Sequence, residues 1–119
     1  MEQSQFDMEG LKKAFEAGDV DGVLKFYAED LDHIEVDEGA PPRSPRRTGA
    51  DYIRSAVAGA TQAGIKLRLE NPVVGTDRAA CTITCEFPDG RRLLSNTIYD
   101  LRDGKIVRQL DVQVMDPEA

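Results

Sequence analysis

The 119-residue sequence predicts an α+β fold, three helices followed by a mainly antiparallel sheet in a single domain spanning 1–119. Two observations predict it. Apart from the alternating stretch Leu31 to Asp37, the apolar period is near 3.6 up to Gly64, and it is close to two thereafter. Turn signals at Gly75–Arg78, Pro88-Asp89-Gly90 and Asp103-Gly104 then divide the second half into long strands with short connections.

The first helix is expected over Ser4–Ala17, where Leu11, Ala14 and Phe15 share a face with Phe6 and where Ser4 or Asp7 can cap. Gly18 ends it and Asp19 opens the second, whose Val20, Val23, Leu24 and Tyr27 follow i, i+3, i+4, i+7. Leu31 to Asp37 alternates as a strand, with Ile34 and Val36 on one face and His33, Glu35 and Asp37 on the other. Alternation favours Ile34 and Val36 as the core side. Gly39–Pro45 is a loop, because its prolines lack the donors a strand or helix needs. Thr48-Gly49-Ala50-Asp51 resembles a capping box, and the third helix it opens carries Ile53, Ala56, Val57 and Ala60 before Gly64 stops it.

Ile65, Leu67 and Leu69 begin the sheet, and Asn71-Pro72 interrupts this strand as an edge bulge. Ala79–Phe87, Arg91–Arg102 and Lys105–Met115 are the remaining strands. A two-residue turn at Asp103-Gly104 pairs Arg102 with Lys105, and in a straight register Tyr99 then faces Arg108, Thr97 faces Leu110 and Asn96 faces Asp111. That register sets Cys81, Ile83, Cys85, Phe87, Leu93, Tyr99, Leu110, Val112 and Val114 on the core face, with Ser95, Thr97 and Arg108 as polar exceptions. Leu94, Asn96, Ile98, Gln109, Asp111, Gln113 and Met115 fall on the mixed outer face. A one-residue bulge reverses the assignment of Asp111.

Charge and composition narrow the function. The net charge of −7 offers no dense basic surface for nucleic acid or anionic membrane, and Arg43–Arg47 reads as a solvated loop. No stretch approaches a membrane span, and the acidic N-terminus lacks the apolar core of a signal peptide, so a cytoplasmic protein is expected. Cys81 and Cys85 are too far apart along one strand to bridge, at about 13 Å. One histidine and no Cys–His cluster give no expectation of a zinc site. No phosphate loop, nucleophile elbow or dinucleotide motif is present, so no cofactor is expected.

Ala17-Gly18-Asp19 through Tyr27-Ala28-Glu29-Asp30, Gly39-Ala40-Pro41-Pro42, Gly49 before the third helix, and Asp103-Gly104-Lys105-Ile106-Val107 together resemble the nuclear transport factor 2-like superfamily. The SnoaL-like and ketosteroid-isomerase-like branches are the most similar. The resemblance covers nearly the whole chain and implies a cone-shaped barrel, three helices packed in a strongly curved antiparallel or mixed sheet. It also implies a deep apolar pocket for a small hydrophobic ligand, lined by residues such as Leu11, Phe15 and Tyr27, and a homodimer. The isomerase site transfers poorly: its tyrosine position is Leu11 and its acid position is Thr97, or Asn96 if the hairpin slips. Its base position falls on Glu35 or Val36, next to Asp37. A steroid isomerase of the usual kind is therefore not expected.

The remaining candidates are Asp37 as first choice of base, His33 second, then Glu35, with Asp111 as a late-strand acid. Tyr99 and Arg108 are expected to meet across the core face as substrate-binding groups beside Thr97 and Asn96. Two functions follow. One is a cofactor-independent isomerase, cyclase or hydrolase acting on a small apolar carbonyl or epoxide. The other is a non-catalytic ligand-binding or dimerisation domain. Dimerisation is expected through Leu94, Ile98 and Met115.

Overall fold

The computed structural model describes residues 6–37 and 46–116. Its elements are α1 (Met8–Glu16), α2 (Val20–Leu24), β1 (Tyr27–Val36), β2 (Arg46–Thr48), α3 (Asp51–Gln62), β3 (Lys66–Val74), β4 (Arg78–Glu86), β5 (Arg92–Arg102) and β6 (Lys105–Asp116). The Gly39–Pro45 loop assignment lies outside the described residues.

Asp7 and Asp19 cap α1 and α2, accepting from the amides of Gly10 at 2.9 Å and Gly22 at 3.1 Å. Between these helices Gly18 holds φ +68, and a Cβ there would sit 2.4 Å from Thr61 Oγ1. Only glycine permits both the turn and the close approach of α3. The second helix is shorter than its apolar spacing suggests: it ends at Leu24, and Tyr27 starts β1 instead. Helical periodicity there coincides with a strand whose first residue also faces the core. The expected capping box at Thr48–Asp51 is not formed; Ala50 is the N-cap and no side chain caps it.

The six strands form one mixed sheet in the order β2-β1-β6-β5-β4-β3, with β1 parallel to β6 and the other pairs antiparallel. The fold is the expected α+β class, but the sheet is not closed into a barrel: β2 and β3 are its edges. At the β3 edge the Lys12–Glu16 pair of α1 occupies the free backbone. Glu16 Oε2 accepts the Leu69 amide at 2.9 Å, and Lys12 Nζ donates to the Leu69 carbonyl at 2.9 Å. The edge is thereby unavailable for pairing with another chain at that point. The Asn71-Pro72 irregularity is present, with a register shift between Glu70 and Val73 and Asn71 at φ 54.

Two registers decide what the sheet presents. Phe87 NH donates to the Arg91 carbonyl, as expected, and Arg102 pairs with Lys105 across a turn in which Asp103 and Gly104 both have positive φ. Between Asp100 and Leu101, however, the β5–β6 ladder shifts by one: Leu101 pairs with Ile106 but Asp100 pairs with Arg108, leaving Val107 as the extra residue. Every later residue of β6 changes face. Tyr99 therefore meets Gln109, not Arg108; Thr97 meets Asp111; and Asn96 meets Val112. Leu110, Val112 and Val114 move to the outer face, while Gln109, Asp111 and Gln113 turn inward. Met115 pairs with Leu93 and shares its inward side. The core lies between the helices and this inner face, with Leu11, Leu31 and Ile106 almost wholly buried.

Candidate functional site: a buried His–Asp pair in an apolar cavity

A cavity of about 380 Å³ lies between the helices and the inner face of the sheet. Leu11 and Phe15 from α1, Val57 from α3, and Leu67, Leu69 and Phe87 give it apolar walls. The size and lining suit a small organic ligand. One end is polar, and β1 and β6 build it together. Their parallel pairing sets His33 beside Gln109 and Glu35 beside Asp111. Leu31, His33 and Glu35 thus face inward, whereas Ile34 and Val36 lie with Leu110 and Val112 on the outer face. This reverses the face that alternation favoured. Ile34 and Val36 are apolar because the outer face is also apolar, so hydrophobicity alone could not distinguish the two sides.

His33 is 1% exposed, and its Nε2 lies 2.7 Å from Asp111 Oδ2. The other Asp111 oxygen accepts Thr97 Oγ1 at 2.8 Å, and Gln109 Nε2 donates to both carboxylate oxygens at 3.0 and 3.1 Å. Gln109 is itself held by the Tyr27 hydroxyl, which donates to its Oε1 at 2.6 Å. That bond fixes which end of the amide faces Asp111. Asp111 is thus surrounded by donors, the environment of a carboxylate anion. A neutral His33 then carries its proton on Nε2 and a lone pair on Nδ1, which is buried and has no hydrogen-bond partner among the described residues. Burial, and secondarily the charge of Asp111, raises the Tyr27 phenol well above the ordinary tyrosine range.

Glu35 adjoins this pair. Its two oxygens lie 3.3 Å from the Tyr52 hydroxyl, and Arg47 Nη1 is 3.8 Å from Oε1. Arg47 stacks its guanidinium 3.8 Å over the Tyr52 ring, and Tyr52 in turn lies 5.4 Å, centroid to centroid, from His33. Burial first, and then the Glu35 charge, raises the Tyr52 phenol. One ligand atom each from His33, Glu35 and Asp111 lie within 4.8 Å of one another.

Of the sequence candidates, the structure brings His33, Glu35, Asp111 and Thr97 together, and Leu11, Phe15, Tyr27 and Tyr99 line the cavity. Asp37 is exposed at the end of β1, away from the cavity lining. Asn96 is on the outer face, accepting from Thr82. Arg108 also points outward, near Asp32 at 3.7 Å and Asp100 at 3.9 Å, because the Val107 bulge rotates it off the core face. Tyr99 instead neighbours the Cys81 thiol at 3.6 Å. Sequence reading missed Gln109, Tyr52 and Arg47. The straight register puts Gln109 on the outer face, and the Val107 bulge turns it inward. The Arg43–Arg47 run reads as loop, but Arg47 lies in the short strand β2, opposite His33 of β1. The stripe of α3 began one residue after Tyr52.

Among the described residues no helix is long and apolar enough to cross a membrane. A SnoaL-like domain model matches residues 9–109. No match is found among curated proteins. Similar solved structures include an NTF2-like protein of unknown function from Mesorhizobium loti (22% identity, 89% of this chain and 86% of that one, TM-score 0.74). A candidate ketosteroid isomerase from Kribbella flavida is 21% identical over 93% of this chain and 75% of its own, with TM-score 0.66. A candidate polyketide cyclase from Xanthomonas campestris pv. campestris is 24% identical over 87% and 84%, with TM-score 0.64. At these identities the likeness to the solved structures is one of fold. With the domain model spanning most of the chain and the same architecture in these neighbours, the chain belongs to the SnoaL-like family of the nuclear transport factor 2-like superfamily.

Proposed function

We propose that this protein is a cofactor-independent acid–base enzyme that acts on a small hydrophobic carbonyl or epoxide compound held in the apolar cavity. The observation that carries the reading is the His33–Asp111 pair, buried at the one polar end of an otherwise apolar pocket. Asp111 orients the ring and stabilises the imidazolium formed when His33 Nδ1 takes a proton. With a carbonyl substrate, the α C–H bond breaks, its electron pair moves into an enolate, and the proton goes to His33. Return of that proton to a different carbon of a conjugated enolate completes an isomerisation. Alternatively the enolate carbon attacks a second carbonyl of the same molecule, forming the ring C–C bond, and the alkoxide so produced takes the proton back from His33. Neither route needs an added oxidant or reductant. The Tyr52 hydroxyl supplies a hydrogen bond to the developing oxyanion. With an epoxide, His33 takes the proton of a water whose oxygen bonds to a ring carbon, the epoxide C–O bond breaks, and the alkoxide released takes a proton from solvent. A purely ligand-binding domain would need only the apolar walls. The buried donor-saturated carboxylate favours the catalytic reading, because burying such a group costs free energy that binding alone does not require.

The test is solvent-deuterium incorporation into a panel of small cyclic ketones, followed by proton NMR. Catalysed exchange at the α carbon is expected, with a loss of about 10²–10⁴-fold in His33→Gln, the usual contribution of a general base. Exchange by wild type no faster than by His33→Gln across the panel, and likewise for epoxide opening, would refute the reading.

We propose further that two copies pair through the outer sheet face. Leu94, Ile98, Val112 and Val114 remain two-fifths to half exposed there. They adjoin Ile34, Val36 and Leu110 in the same registers. Monomers seldom leave so continuous an apolar face open. This surface keeps two of the expected residues, Leu94 and Ile98, and replaces Met115, which faces inward.

A further inference from the structure

We propose that Gln113, with Ser95 beside it, is a second contact point for the substrate, which carries a hydroxyl group in addition to its reacting carbonyl or epoxide. Gln113 lies on the inward face of β6, two residues beyond Asp111 and about 6.8 Å further along the strand. It lines the cavity, pairs across the sheet with Ser95, and is half-buried. Its side-chain amide has no hydrogen-bond partner among the described residues.

Gln113 stands apart from the polar groups next to it on this face. Gln109 is engaged at both ends of its amide, accepting from Tyr27 and donating to Asp111. Thr97 gives its one proton to Asp111. A partly buried amide left unbonded loses hydration and gains nothing in return unless a ligand bonds it, and an apolar side chain would fill the place at lower cost. Ser95 completes the pattern. Because the Thr97 proton is committed to Asp111, Ser95 donates and Thr97 accepts in the 3.3 Å contact between the two hydroxyls. The Ser95 oxygen keeps lone pairs free to accept. Side by side, the two residues offer the N–H donors of Gln113 and two acceptors, Gln113 Oε1 and Ser95 Oγ. A hydroxyl, which donates and accepts at one atom, matches this set, whereas a carbonyl would leave both acceptors unused. Leu93 and Cys85 occupy the next rung of the ladder, so the body that carries the hydroxyl meets apolar wall.

The inference rests on the acid–base reading in one respect, that the carbonyl or epoxide lies at His33. The test is binding, not turnover. Cyclohexanone is compared with 4-hydroxycyclohexanone, and tetralone with its 6-hydroxy derivative. Each is titrated into the protein while the ring signals of His33, the sole histidine, are followed by proton NMR. In at least one pair the hydroxylated ketone is expected to bind about tenfold more tightly, the worth of one hydrogen bond in a site withdrawn from water. Gln113→Met, close to glutamine in shape, is expected to abolish that preference while the parent ketone binds as before. Its melting temperature is expected to hold, because no hydrogen bond within the protein is lost. Ser95→Ala is expected to reduce the preference by a lesser factor, and it keeps the test open if Gln113→Met does not fold. No preference in either pair, lack of binding included, overturns the proposal. So does a preference that survives undiminished in the variants, or a fall in melting temperature that marks Gln113 as structural. A hydroxyl preference without deuterium exchange in any ketone refutes the acid–base reading and leaves this contact standing; exchange without a hydroxyl preference does the reverse.

Discussion

Replacing Asp111 with asparagine tests the organisation of the site without any substrate. In the native protein the carboxylate accepts from His33, Thr97 and Gln109, the last through both oxygens. A hydrogen bond to an ionised acceptor contributes about 1.5–3 kcal/mol, against about 0.5–1.5 kcal/mol for a neutral one. The native contact thus biases the neutral imidazole toward the Nε2–H tautomer by at least about tenfold, at about 1.4 kcal/mol per decade. In Asp111→Asn the acceptor is neutral, and the amide can present its NH₂ group to Nε2 instead. Gln109 cannot turn to accept that group, because Tyr27 holds its oxygen at 2.6 Å. The tautomer preference is therefore expected to fall by about tenfold, toward parity. The unsatisfied donor that remains costs about 1–3 kcal/mol of stability. Long-range ¹⁵N–¹H correlation at pH 9 reads the tautomer directly, since the chain has a single histidine. A native Nδ1–H tautomer would refute the reasoning. So would an unchanged Nε2–H preference in a folded Asp111→Asn protein.

Three further outcomes are expected. Ile98→Asp should weaken the proposed dimer by about a hundredfold or more, because half-exposed apolar side chains lose about 1 kcal/mol each in both copies and two carboxylates enter the interface. Sedimentation equilibrium measures it, and a native protein that stays monomeric at tens of micromolar counts against the interface. Glu16→Ala should remove the clamp on the β3 edge at a cost of about 1 kcal/mol after solvent screening, or roughly 3–5 °C in Tm. The Lys12 hydrogen bond holds the Glu16 carboxyl below the ordinary glutamate range; burial opposes it, and the Leu69 amide adds a lesser lowering effect. Its stabilisation is accordingly full above the ordinary glutamate pKa of about 4.3 and lost as pH falls through the lower folded value, and thermal melts from pH 7 to 3 should converge for wild type and Glu16→Ala. Burial, and to a lesser extent Asp111, pushes the Cys85 thiol up to about 11. At pH 8 its thiolate fraction is about two hundredfold below that of an ordinary cysteine near 8.5. Reaction with a disulfide reagent should be slower by a similar factor in the folded protein and normal in guanidinium; a rapid native reaction would place Cys85 in a different environment.

The parts of the fold set by local chemistry were legible. Asp7, Asp19 and Gly18 mark the α1–α2 corner, and Asp103-Gly104 fixes the final hairpin, because caps and tight turns need particular residues at particular positions. The site was only half legible, for two physical reasons. Strand β1 has apolar residues at Ile34 and Val36 because the outer face is apolar as well. Alternation could reveal two faces but not which one the helices cover. The second reason is Val107. A bulge has no required residue type at this position, yet one unpaired residue moves Asp111, Gln109 and Arg108 to opposite sides from a straight ladder. The polar–apolar order of β6 does hold a trace of it. In the straight register Arg108 falls on the core face while Gln109, Asp111 and Gln113 lie beside exposed Leu94 and Ile98. In the shifted register the arginine reaches two surface carboxylates, and the three inward polar groups gather at one end of the cavity opposite Ser95 and Thr97. Polar residues on a core face are costly unless they satisfy one another. Here Asp111, Gln109, Thr97 and Tyr27 do so, His33 joins them through Nε2 alone, and the bulge that breaks strict alternation is the feature that assembles the site.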